Sequence, residues 1–356
     1  MRLAAFLRRD ALVPPPETVD VSLVEQAVAH GVASLLYRAL HELGAWEHVS
    51  MEARDALAGI ARESLLIECV RAQHLARVIE ALAAEGVRPL LFKGAALAAT
   101  HYPEPWLRTR GDTDLLVRAG EAPRVVRLLE SLQFARLPRP DGALVTQQSR
   151  CEGSASGVPL AYDVHWRIAD PHAFAAALPY DELEPRAVAD HPSGARRVSN
   201  VDALAIACVH RAAHHYDAGH LLLIYDIQLL ATGLTEEQWQ AFTSLAAELG
   251  LRTVFRRGLE LASDTFGLRL PLTAQAALAG GKEEPTGVFV GGGVRRIDVL
   301  LSDLRALNGW PARLQLLKSH LFPSSSYLDA SAPARSAFPS YLVRALKGAR
   351  GWWRPL

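Results

Sequence analysis

Gly111-Asp112-Thr113-Asp114-Leu115-Leu116-Val117 sets two carboxylates at the head of an apolar run. The run predicts a buried strand over Thr113 to Val117. In a strand, residues i and i+2 share a face, so Asp112 and Asp114 project side by side. Two carboxylates placed like this repel each other unless a cation lies between them. Hard divalent cations, Mg2+ above all, take such oxygen ligands and keep positions open for substrate phosphates. In the competing reading Asp112 caps a turn and Asp114 pairs with Arg108 or Arg110.

The flanking sequence has the grammar of a small mixed domain. Val87 to Phe92 is an apolar run that ends at Lys93-Gly94 and reads as a buried strand. Ala95 to Thr100 reads as a short helix, Tyr102 to Gly111 as a loop, and Glu121 to Leu132 as an amphipathic helix. Ala143 to Cys151 and Val158 to Trp166 read as further strands. Asp163 stands alone among apolar neighbours in the last of these, where an unpaired charge is costly. It is the natural third carboxylate of a two-ion site. His165 shares its face and is placed to orient a carboxylate or a nucleophile.

Helical patterns lie on both sides. Val21 to Leu40, interrupted at Gly31, and Ala53 to Ala84 carry apolar residues at three-and-four spacing, with Gly86 as a cap. Val201 to His215, Leu221 to Thr232, Glu236 to Leu249 and Thr253 to Phe266 repeat the pattern. Gly280 to Gly293 reads as a loop, Val294 to Leu321 as helical, 323–340 as extended, and Tyr341 to Trp353 as a basic helix. The expected architecture is α+β, a small mixed-sheet domain flanked by helices. Its expected divisions are an N-terminal helical segment (1–75), the mixed-sheet domain (76–195), a helical domain (196–322) and a C-terminal extension (323–356).

Composition narrows the partners. The 356 residues carry 38 basic and 38 acidic side chains, a balance that argues against a long nucleic acid as partner. Cys69, Cys151 and Cys208 are odd in number and far apart, so a disulfide framework or structural zinc site is not expected, and a reducing cytoplasm fits. The N-terminus is charged too early for a signal peptide, and no apolar run reaches the ~18 residues of a membrane span. Lys93 is one of only four lysines in a chain whose default cation is arginine.

Phe92-Lys93-Gly94-Ala95-Ala96-Leu97, Tyr102, Arg108 or Arg110, and Asp112-Thr113-Asp114-Leu115-Leu116-Val117 together resemble the uncharacterised nucleotidyltransferase family of the DNA polymerase-β-like superfamily. Asp163-Val164-His165-Trp166 resembles that family's third-carboxylate strand, and Leu222 to Ile227 its helical region. The resemblance implies Asp112, Asp114 and Asp163 as metal ligands and catalytic carboxylates, and Gly94 as the glycine of a phosphate-contacting turn. Ala95 departs from the small hydroxyl residue often found after that glycine, and the gap to Asp112 is longer than usual. Lys93, Arg108 and Arg110 are candidate triphosphate ligands, since cationic clamps stabilise charge on a transferring phosphoryl group.

The expected reaction is Mg2+- or Mn2+-dependent transfer of a nucleoside monophosphate from ATP or another NTP to a hydroxyl acceptor. The alternatives are a non-catalytic nucleotide- or partner-binding module and a kinase-like phosphotransfer at the same site. His210 and His214 share a helix face four residues apart, beside His215, but lack the glutamate of a helical zinc motif. They read as core or interface histidines, or as a lining of the carboxylate cleft, with Asp226 joining that lining or capping or pairing within the helices. Arg344, Lys347, Arg350 and Arg354 with Trp352 and Trp353 form an end that docks on protein or contacts a membrane or nucleic acid.

Overall fold

A computed structural model describes residues 2–8, 19–138, 146–280 and 284–321. The extended segment and basic C-terminal helix expected after residue 322 lie outside the described residues. Four helices lead: α1 (Arg2–Arg8), α2 (Val21–Ala29), α3 (Ala33–Glu42) and α4 (Met51–Ala84). The Asp20 carboxylate accepts from Leu23 N and caps α2, and Ser50 accepts from Ala53 N to cap α4. Gly31, at φ +69°, makes the expected break between α2 and α3. α4 runs unbroken for 34 residues, so the expected division at residue 75 falls inside it.

The sheet follows, built from β1 (Leu90–Leu91), β2 (Thr113–Leu116), β3 (Ala135–Arg136), β4 (Gln148–Ala155), β5 (Val158–His165) and β6 (Arg196–Arg197). Its order is β3-β4-β5-β2-β1-β6. β2 pairs parallel with β5 and β1 with β6, and the remaining pairs are antiparallel. β1 is shorter than the Val87–Phe92 run. Pro89 has no N–H for a ladder, and the chain turns into a helix at Lys93. α5 (Lys93–Thr100) joins β1 to β2, and α6 (Ala122–Ser131) leads from β2 towards β3. β4 and β5 form a hairpin through Ser156-Gly157, both at positive φ (+50° and +77°), as a two-residue type I′ turn requires.

After α7 (Tyr180–Leu183) the chain is helical again: α8 (Asn200–His215), α9 (Leu221–Thr232), α10 (Glu236–Leu249), α11 (Arg252–Phe266), α12 (Leu272–Ala279), α13 (Arg296–Ala306) and α14 (Trp310–Leu321). α12 was not anticipated; its apolar residues show no one-sided periodicity. Two apolar cores result. One joins α1–α4 to the C-terminal helices and one face of the sheet, uniting Phe6, Leu36 and Leu57 with Leu90, Leu116, Leu204, Phe242 and Phe255. The other packs Leu75, Val78 and Leu82 of α4 and Val125 and Leu129 of α6 on the opposite face, against Leu91, Leu115, Tyr162 and Val164. The N-terminal and C-terminal helices therefore share a core, and α4 threads both. Among the described residues no helix is long and apolar enough to cross a membrane.

A buried charge pair ties the helices to the loop before β2. Arg108 donates from Nε and Nη2 to the Asp226 carboxylate of α9 at 3.0, 3.1 and 2.7 Å, and Tyr102 Oη donates to it at 2.7 Å. Arg108 is 8% and Asp226 4% exposed. Removing one partner of a buried pair strands the other charge, at a cost of about 3–5 kcal/mol. Asp226→Ala is expected to lower unfolding free energy by about that much in urea titrations, and Arg108→Met with Asp226→Leu to recover most of it. Equal stability of the single variant and the natural chain would remove the pair from this role.

Candidate active site

The parallel register between β2 and β5 builds the site. It sets Asp114 beside Asp163 and Leu116 beside His165. The β4–β5 hairpin adds Arg150 on the far side of Asp163. Arg150, Asp163 and Asp114 thus form one row across three strands, on the face that carries Leu116 towards the helices. Asp112 precedes β2 and is partly exposed, whereas Asp114 lies within the strand and is buried.

Lys93 Nζ donates to Asp114 Oδ1 at 2.9 Å, and His165 Nε2 lies 2.8 Å from the same oxygen. Lys93 Nζ is also 3.4 Å from His165 Nε2. Asp114 therefore pairs with Lys93 and His165, not with Arg108 or Arg110. Arg150 Nη1 donates to Asp112 Oδ2 at 3.3 Å and to Asp163 Oδ1 at 3.4 Å, while its Nε donates to Glu152 Oε1 at 2.7 Å.

The two buried carboxyls are driven apart. Burial alone raises Asp114, but the Lys93 charge and the His165 hydrogen bond hold it well below the usual carboxylate range. Asp163 moves up: burial is the main cause, reinforced by repulsion from Asp112 and Asp114, and His165 and Arg150 only partly oppose it. One carboxylate is fixed in its charged form and its neighbour keeps an appetite for a proton.

Lys93 reaches Asp114 from a backbone at φ +54°, the left-handed region. That conformation costs a residue with a Cβ roughly 1–2 kcal/mol, so strain sits beside the carboxylates. Phe92 packs its ring edge-on to His165 at 5.0 Å. Gly94 is buried at the start of α5, and a methyl there would lie 3.4–3.5 Å from Arg110 and Arg108. The two arginines therefore run beneath the Lys93-Gly94 turn. Arg108 is committed to Asp226, and Arg110 Nη2 donates to Glu68 Oε1 of α4 at 3.0 Å. Both lend positive charge to the turn from below.

Sequence reading missed Arg150, Glu68 and Arg71. Arg71 is 6% exposed, pairs with Glu68 at 3.6 Å and feels the Asp112 charge. Arg150 was open to discovery: a two-residue turn at Ser156-Gly157 puts it opposite Asp163. Glu68 and Arg71 had no local signal, because only the tertiary path of α4 brings them here.

His210, His214 and His215 lie at the C-terminal end of α8. The His210 ring lies tilted to His214 and edge-on to His215 at centroid separations of 5.1 and 5.0 Å, and His215 meets His220 at 5.6 Å. Burial and then the Lys93 charge push His210 well below its ordinary value. The same two causes take His214 to about 4, and burial, His220 and Lys93 take His215 to about 4. All three imidazoles lie close enough to Lys93 to feel its charge.

The donor chemistry suits a divalent cation. One ligand atom each from Asp114, Asp163 and His165 lie within 4.8 Å of one another, all buried. Asp112 stands outside this group and joins it through Arg150.

Over residues 19–267 the chain matches the family described as an uncharacterised nucleotidyltransferase. The match takes in the whole sheet, the carboxylate row and α2 through α11. No curated protein matches the chain.

Two stability measurements test this electrostatic picture. Lys93→Gly is expected to be more stable than Lys93→Ala by about 1 kcal/mol, because both lose the Asp114 pair but only glycine relieves the backbone. An alanine variant as stable as the glycine variant would show that residue 93 is not strained. The histidines set a pH dependence. His214 holds its proton less well folded than unfolded, so stability is complete above its ordinary value of 6.5 and is lost as pH falls towards 4. The slope is at most about 1.4 kcal/mol per pH unit for each such histidine. Urea titrations between those limits are expected to show a shallower loss for His214→Gln; parallel curves would exclude His214.

Proposed function

The chain belongs to the uncharacterised nucleotidyltransferase family, an enzyme class, and from that membership we propose that it moves a nucleoside monophosphate from an NTP to a hydroxyl on a small molecule, peptide or protein. The observation that carries this reading is the row Asp114–Asp163 with Asp112 beside it, two carboxyls pushed in opposite directions on one sheet face.

Asp112, Asp114 and Asp163 would hold Mg2+ or Mn2+, with His165 fixing the Asp114 carboxylate in place. When bound, such an ion supplies Lewis acidity and charge stabilisation at the phosphates. Asp114, held low, stays ionised as a ligand throughout. Asp163, next to Asp114 in the row, would take the proton of the acceptor hydroxyl. The freed oxygen attacks the α-phosphorus; the bond from that phosphorus to the bridging oxygen of the β-phosphate breaks, and pyrophosphate leaves with its electron pair. Lys93 and the backbone at Gly94, where α5 presents its positive end, neutralise the triphosphate. Arg108 and Arg110 strengthen that field from beneath the turn. The balanced charge of the chain favours a compact acceptor over a long nucleic acid.

The test uses α-32P- and γ-32P-labelled NTPs with Mg2+ or Mn2+ and candidate hydroxyl acceptors, beside an Asp112→Ala, Asp114→Ala variant. Label transferred from the α position alone, and lost in the variant, is the expected outcome. Transfer from γ assigns kinase chemistry instead. Calorimetry that finds no metal-dependent NTP binding, or binding that the variant keeps, overturns the enzymatic reading.

A further inference from the structure

We propose that Arg150 is the site's own counter-cation, which a divalent ion must displace from Asp112 and Asp163, so that the ion binds weakly until a triphosphate arrives to receive the released guanidinium. The inference rests on the metal-dependent reading above.

The geometry separates the two internal cations. Lys93 holds Asp114 at 2.9 Å, with the pair 11% and 7% exposed. Arg150 reaches Asp112 and Asp163 at 3.3 and 3.4 Å, long for charge-assisted bonds, which run nearer 2.7–2.9 Å. Its short bond, 2.7 Å, goes from Nε to Glu152, on the outer side of the row. Arg150 is thus anchored at Nε and lightly held at Nη1. It can swing its outer nitrogens off the aspartates while Glu152 keeps it tethered at the rim.

An entering cation finds all three carboxylates already partnered, one firmly by Lys93 and two loosely by Arg150. Removing the partner they share leaves Asp112 and Asp163 without its charge, and neighbouring carboxylates left so favour a cation. The planar guanidinium, once released at the rim, matches phosphate oxygens better than a point charge does. Arg150 is therefore a positioning residue with opposite effects on the two ligands: it weakens the bare ion and strengthens the ion–triphosphate complex.

The experiment titrates Mn2+ into the full chain, following free Mn2+ by electron paramagnetic resonance, with and without ATP. Without nucleotide, Arg150→Gln is expected to bind Mn2+ about tenfold tighter than the natural chain. Arg136→Gln removes the same charge from an exposed position on β3, across from Cys151, and is expected to change affinity by less than about twofold. With ATP present, the affinity gain is expected to be large in the natural chain and small in Arg150→Gln. The proposal is overturned if Arg150→Gln binds bare Mn2+ no tighter, or if Arg136→Gln gains as much. Asp163→Asn separates the two levels. If Mn2+ binding depends on Asp163 but ignores Arg150, only the role of Arg150 falls. If Mn2+ binding ignores Asp163, the metal reading falls with it.

Discussion

The register between β2 and β5 is the constraint on which the site depends. Side-chain direction alternates along a strand, so a slip of one residue would send Asp114 and Asp163 to opposite faces. In the observed register they stand side by side, both largely buried. Everything around them answers that crowding. Lys93 accepts a left-handed backbone to reach Asp114, His165 lies one row along, and Arg150 closes the row from β4. Without these groups, two adjacent buried carboxylates in a hydrophobic frame would carry a large unfavourable self-energy.

The same cations divide into two kinds of work. Arg108 and Arg110 are spent on Asp226 and Glu68, so their charge organises the protein and reaches the turn only as a field. Lys93 and Arg150 touch the carboxylate row directly. The distinction is one of burial and partner. A guanidinium paired with one largely buried carboxylate is fixed in place, whereas Arg150 is shared among three carboxylates, two of them partly exposed.

Much of this was legible in the sequence. The strand carrying Asp114, and Asp163 with His165 on one face of another, followed from a period of two, and the break between α2 and α3 from Gly31. Helix limits over Leu221–Thr232 and Glu236–Leu249 matched the apolar pattern and its caps. What escaped was set at a distance. The directions of Arg108 and Arg110 depend on Asp226 and Glu68, which are remote in the chain and carry no local mark of their partners. The helical regions at the two ends contribute to one apolar core, and α4 passes through residue 75 without a break. Along α4 the core changes from that of Ala53 and Leu57 to that of Leu75, Val78 and Leu82, and a composition shift alone does not tell a domain boundary from a change of packing partner.

That shared core also orders events during synthesis. The core behind Leu91, Leu115 and Val164 draws its buried residues, among those described, from Leu75 to Ala195, so it can close before the C-terminal helices are synthesised. The other core begins at Leu3 but reaches to Phe289. α1 to α3 therefore have partners that are made about 200 residues or more later, and their apolar faces stay uncovered until then. This is the period in which a nascent chain needs a chaperone most.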